Sequence, residues 1–128
     1  MKPTYKILSG FKAFTVAITR GSRIEKKPIK AFVYSYVSDR PFVRVGYTAL
    51  KGTKRAVVRN RMKRLMRESF SINKNHFLNT IDSTRSFDIV FMYFGNMEDS
   101  PGNIRFREVS EAITSICSSI VKVRKSGQ

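Results

Sequence analysis

Apolar residues recur along this chain with two periods, and the switches between those periods predict its elements. Phe11, Phe14 and Ile18 fall at helical spacing between Ser9, a candidate N-cap, and Gly21, a candidate helix stop. The stretch from Arg20 to Pro28 is polar and basic and reads as a loop. From Lys30 to Val37 the period becomes two: Phe32, Tyr34 and Tyr36 point one way, Ala31, Val33, Ser35 and Val37 the other. Asp39-Arg40-Pro41 makes a turn. Phe42 to Leu50 makes a second strand, so an antiparallel hairpin is expected. A basic loop, Lys51 to Arg55, leads to a helix from Ala56 to Asn73, whose stripe is Val58, Met62, Leu65, Met66, Ser69 and Phe70. Asn73 to Ser86 is polar and reads as a loop. Phe87 to Phe94 is nearly all apolar and suits a strand covered on both faces. Pro101-Gly102 turns the chain, and Asn103 is placed to cap a last helix with the stripe Phe106, Val109, Ile113, Ile116, Cys117 and Ile120. The tail from Lys122 is basic and reads as frayed. The order is helix, strand, strand, helix, strand, helix. The class is α+β, a two-layer α/β sandwich with helices on one side of a three- or four-stranded sheet.

Length and composition narrow the picture. With 128 residues, 41% of them hydrophobic, the chain reads as a single domain over 1–128 that needs no disulfide or metal staple. Its one cysteine, Cys117, forms no internal disulfide and fits a reducing compartment. No apolar run reaches the roughly 20 residues that span a bilayer, and the N-terminus lacks the apolar stretch of a signal peptide. A cytoplasmic location with no membrane partner is the expectation.

Charge changes the picture most. There are 25 Lys and Arg against 9 Asp and Glu, a formal net charge of +16. Such a field attracts polyanions and repels itself. Solubility alone does not call for so large an excess of one sign. Nucleic acid, an anionic membrane surface and an acidic protein are the partners that suit it.

The charge is concentrated. From Lys51 to Arg67 stand eight basic residues, Lys51, Lys54, Arg55, Arg59, Arg61, Lys63, Arg64 and Arg67, and the first acid after them is Glu68. On a helical wheel Asn60, Lys63, Arg64 and Arg67 oppose the apolar stripe. Arg61 sits at its border and Arg59 nearer the apolar side. A solvated helix face ordinarily mixes signs to gain i,i+4 pairs; this one does not. Guanidinium groups offer planar, two-pronged bonding to phosphate oxygens, so an RNA backbone is the expected ligand. Phe32, Tyr34 and Tyr36 share a strand face near Phe14. Such rings either stack unpaired bases or belong to the core. Tyr34 is the better candidate for RNA, because its hydroxyl tolerates water.

Catalytic constellations are missing from the sequence. His76 is the only histidine, and with one cysteine it makes no zinc site. The only adjacent carboxylates are Glu98 and Asp99, too few for two-metal hydrolysis. No Walker-type phosphate loop is present. No catalytic residue and no metal ligand is expected on this chain.

Arg44-Val45-Gly46 together with the run Ala56 to Glu68, containing Arg59-Asn60-Arg61, Lys63-Arg64 and Arg67, resembles the protein subunit of bacterial ribonuclease P. A weaker resemblance extends from about Phe11 to the end of the last helix. Two features depart from the family pattern. Lys54-Arg55 stands where Gly-Asn is frequent, and Ile18 stands where an aromatic is common. The resemblance implies an α+β fold with a left-handed βαβ crossover. It implies a 1:1 complex of a monomer with a large catalytic RNA that removes the 5′ leader from precursor tRNA. Hydrolysis is then carried by the RNA and its magnesium, and the protein alone binds no cofactor. It further implies that the Arg-Asn-Arg helix contacts the catalytic RNA, and that Phe14, Ile18 and Tyr34, with Phe32 and Tyr36 beside them, line a cleft for the leader. A general RNA-binding or ribosome-associated protein and a stand-alone nuclease are the rival readings.

Overall fold

A computed structural model describes residues 3–49, 56–94 and 106–126. In chain order the elements are β1 (Thr4–Ile7), α1 (Phe11–Arg20), β2 (Ser22–Lys26), β3 (Ile29–Val37), β4 (Phe42–Ala49), α2 (Ala56–Thr80), β5 (Arg85–Tyr93) and α3 (Phe106–Ser126). The α+β class stands, with a five-stranded sheet in the order β1-β4-β5-β3-β2. β4, α2 and β5 form the expected βαβ crossover, because β4 and β5 pair in parallel.

The expected hairpin does not form. β3 pairs antiparallel with β2 and β5, while β4 pairs parallel with β1 and β5. β5 therefore lies between them. Its run Ser86–Phe91 is buried throughout, and a strand this apolar is most stable with neighbours on both edges and cover on both faces. The segment 38–41 spans the two strand spacings, about 10 Å, that separate β3 from β4.

Two strands come from stretches that carried no alternating signal. β1 has four residues and one half-buried side chain, and β2 shows mostly exposed positions. Both lie at sheet edges, where short, charged strands are the rule. They form because β4 and β3 offer free ladder edges, not through apolar periodicity of their own.

The two faces of the sheet carry different helices, which corrects the expectation of helices on one side. Ile29, Ala31, Val33, Val43, Val45, Phe87, Ile89 and Phe91 meet Met62, Met66, Phe70 and Phe77 of α2 and Val109, Ile113, Ile116 and Ile120 of α3. On the opposite face Val90, with Leu8, packs against Ala17, Phe14 and Ile18 of α1. Helix α2 also runs past the expected end at Asn73. Phe77, Leu78 and Ile81 are buried and follow Phe70 by seven, eight and eleven residues, so the apolar stripe continues beneath Asn73, Asn75 and Asn79. α3 likewise continues through the basic tail to Ser126. Its proposed cap, Asn103, lies outside the described residues.

Helix α1 is capped by Gly10, not Ser9. Gly10 has φ 95°, which suits glycine, and no side chain caps the first turn. Gly21 ends the helix as expected, its N–H donating to the Ala17 carbonyl at 2.9 Å.

Cys117, on the buried side of α3, is 5% exposed, and burial pushes its thiol up to about 12. The thiolate is the reactive form. Native protein at neutral pH is expected to resist a thiol-labelling reagent that reacts fully once the chain is unfolded in urea. Equal labelling rates in both states would contradict this packing.

Candidate nucleic-acid interface

The basic side of α2 is built by anchoring its other side. Val58, Met62, Leu65 and Met66 are buried, which turns Asn60, Arg64 and Arg67 outward into solvent. Arg59, Arg61 and Lys63 are half-buried. Lys51, Lys54 and Arg55 lie outside the described residues. The first turn of α2 contains no acid, so the positive end of the helix dipole adds to the attraction for phosphate. The Arg67 guanidinium carbon lies 5.8 Å from the centre of the Tyr47 ring. Two turns further on, Lys74 sits 4.2 Å over Tyr5. The basic track is therefore longer than the sequence suggested. Its far end was hidden because Lys74 lay in a segment read as loop.

A second surface lies on the other face of the sheet. A cleft of about 550 Å³ opens between α1 and the strands, lined by Ser9, Gly10, Lys12, Ala13 and Val16 on one wall and Tyr34, Tyr36, Arg44 and Asp88 on the other. Of the five aromatic and aliphatic residues expected there, Tyr34 and Tyr36 line it. Phe14, Ile18 and Phe32 do not; they are half-buried and pack with Leu8, Ala17 and Val90 under α1. They support the cleft by fixing the height of the helix above the sheet. Gly46 contributes to that height, since a Cβ there would stand 2.5 Å from Cζ of Phe14.

The floor of the cleft is polar and ordered. Asp88 is 4% exposed. Arg44 donates to it twice, Nε to Oδ1 and Nη2 to Oδ2, each at 2.7 Å. The Tyr36 hydroxyl donates more weakly to the same carboxylate, 3.4 Å from Oδ2. The sheet sets this arrangement, since Asp88 lies opposite Arg44 on β4 and opposite Tyr34 on β3. Tyr34 and Tyr36 have ring centres 5.3 Å apart, and Tyr36 meets Phe42 edge-on at 6.0 Å. Burial, with the Asp88 charge beside it, raises the Tyr36 hydroxyl above the usual tyrosine value, so it remains a donor at neutral pH. Hydrogen bonding to Asp88 raises Arg44 further and keeps it cationic.

Sequence reasoning named neither Arg44 nor Asp88 as a site residue. One signal was available: Asp88 is the one charged residue in the run Phe87 to Phe94, otherwise almost wholly apolar, and a carboxylate covered on both faces requires a partner. The cleft residues do not fit a magnesium site. Both oxygens of Asp88, the carboxylate among the cleft-lining residues, already accept from Arg44, and the described residues contain no cluster of three or more His, Cys, Asp or Glu. No helix among the described residues is long and apolar enough to cross a membrane.

The family model for Ribonuclease P matches residues 1–119. The chain belongs to the ribonuclease P protein family. The ribonuclease P protein component of Alkaliphilus metalliredigens (strain QYMF) is 28% identical over 100 residues, spanning 78% of this chain and 79% of that one. That of Syntrophus aciditrophicus (strain SB) is 44% identical over 59 residues, 46% of this chain and 44% of its own. Among solved structures, the RNase P protein from Thermotoga maritima superposes with a TM-score of 0.68 at 21% identity, covering 89% of this chain and 96% of that one. The Staphylococcus aureus RNase P protein gives 0.63 at 20% identity, covering 94% and 98%; these two show the fold. As a ribonuclease P protein component, the chain is part of an endoribonuclease holoenzyme and partners the ribonuclease P RNA.

Proposed function

We propose that this chain binds the catalytic RNA through α2 and holds the 5′ leader of precursor tRNA in the cleft between α1 and the sheet, promoting removal of the leader. The observation that carries this reading is the separation of the two surfaces. The cations of α2 project from one face of the sheet, and the aromatic cleft opens on the other. One RNA can then be bound without excluding the second. Arg59, Asn60, Arg61, Lys63, Arg64 and Arg67 supply the contacts to the catalytic RNA, joined by Lys51, Lys54 and Arg55. Tyr34 and Tyr36 stack unpaired leader bases, on a scaffold of Phe14, Ile18 and Phe32. The hydrolytic step and its magnesium belong to the RNA, and the protein acts in the cytoplasm as one copy per RNA. Its contribution is to position the leader and to place positive charge near crowded phosphates.

Tyr34→Ala tests the cleft. Loss of one stacked base is expected to weaken binding of leader-bearing substrate by roughly tenfold. Assembly with the catalytic RNA, measured in parallel by titration, is expected to stay within about twofold of the parent. Equal losses in both titrations would sink the assignment.

A further inference from the structure

Asp88 poses a physical problem for a cleft that takes RNA. A carboxylate that is 4% exposed lies on the floor of a surface meant for a polyanion. Arg44 resolves it by engaging both oxygens at 2.7 Å. That contact occupies Nε–H and one hydrogen of Nη2. The other edge of the guanidinium, carrying Nη1 and the second Nη2 hydrogen, remains. Nη2 also donates to the Tyr36 oxygen, but at 3.5 Å this is a long, weak contact that a closer acceptor in the cleft would displace. The Arg44 side chain is 32% exposed and lines the cleft. Three restraints fix its plane: the two bonds to Asp88, the ladder that sets Arg44 opposite Asp88, and the Phe42 ring 5.1 Å from the guanidinium carbon.

A neutralised pair offers little Coulombic attraction to phosphate, whose binding depends on net cations. A donor edge held in one plane suits a partner with two acceptors in one plane. Guanine presents N7 and O6 in that way, and arginine pairs with them in two-pronged fashion. Tyr34 and Tyr36, their ring centres 5.3 Å apart, line the same cleft as Arg44 and offer aromatic surface on which such a base can stack.

We propose that Asp88 is a positioning residue that turns Arg44 from a phosphate-seeking cation into a fixed donor edge, so that the cleft selects an unpaired guanine in the leader. This rests on the reading of the cleft as the leader site.

The test uses the chain assembled with the ribonuclease P RNA. The substrates are precursor tRNAs whose unpaired leader carries guanine or adenine at one position at a time, plus a leaderless tRNA. The parent is expected to favour leader-bearing substrate, and to prefer guanine over adenine at one position by about fivefold or more. Asp88→Asn keeps the shape and releases the charge of Arg44. The preference is expected to fall below about twofold, while the salt slope of leader binding steepens by about 0.7 for the freed cation. Arg44→Lys keeps the charge without the planar fork. It is expected to lose the preference at an unchanged slope, and it carries the test if Asp88→Asn does not fold. If the pair is merely structural, both variants bind every leader more weakly with the guanine preference intact and no steeper slope, which overturns the proposal. A parent that senses the leader but shows no base preference also overturns it and leaves the cleft reading standing. A parent that binds leaderless and leader-bearing tRNA equally overturns the cleft reading, and the proposal with it.

Discussion

Replacing Arg64 and Arg67 together by alanine is expected to weaken binding to the ribonuclease P RNA on the order of a hundredfold, from two lost charge-assisted contacts. Both side chains are exposed on α2, whose opposite side is locked into the core by Met62, Leu65 and Met66. Truncation therefore removes charge without opening a cavity, and the thermal midpoint is expected to move little. The signature lies in the salt dependence. Each lost phosphate contact is expected to flatten the plot of log affinity against log salt by roughly 0.9, so the double variant flattens it by roughly twice that. Arg107→Ala serves as the control, because Arg107 is an exposed cation that already donates to Glu111 at 3.1 Å. A double variant with the parent's slope would remove α2 from the phosphate contacts.

Phe70→Ala is expected to have the largest effect on stability, about 3–5 kcal/mol, because it deletes a buried aromatic and leaves a cavity. Phe70 is 1% exposed. Its ring meets Phe77 edge-on at 5.7 Å, Phe91 of β5 at 5.8 Å and Tyr5 of β1 at 6.0 Å. One side chain thus ties α2 to the central strand and to an edge strand. A domain whose total stability is about 5–15 kcal/mol retains little margin after such a loss. Urea unfolding is expected to show a lower midpoint with an unchanged slope. A loss below about 1 kcal/mol would mean that the neighbouring rings close over the gap.

Strong periodicity was legible and weak periodicity was not. The alternation at Lys30–Val37 predicted which side each residue faces: Ala31 and Val33 meet α2 and α3, while Tyr34 and Tyr36 face the cleft. The stripe from Val58 to Phe70 predicted the anchored side of α2, and with it the exposure of Asn60, Arg64 and Arg67. Pairing partners were a different matter. Adjacency in sequence suggested a hairpin, but burial of β5 on both faces and both edges outweighed the short connection between β3 and β4. β1 and β2 lie at sheet edges, where a strand has only one partner and needs no apolar side. The second half of α2 was obscured because three asparagines, poor helix formers, surround the buried Phe77 and Leu78. In the site, the aromatic lining was legible in part. Tyr34 and Tyr36 reach the cleft, whereas Phe14, Ile18 and Phe32 sit beneath it. The Arg44–Asp88 pair was invisible because the two residues are 44 positions apart and meet only once β4 and β5 pair.

The most direct measurement is cleavage of a 5′-leader precursor tRNA at low, near-physiological magnesium, with protein alone, ribonuclease P RNA alone and the two together. Cleavage at the leader junction is expected only, or far faster, in the combined reaction, and none from the protein alone. Cleavage by the protein alone would place an active site on this chain. A folded protein that leaves the RNA no more active would leave only a general RNA-binding role.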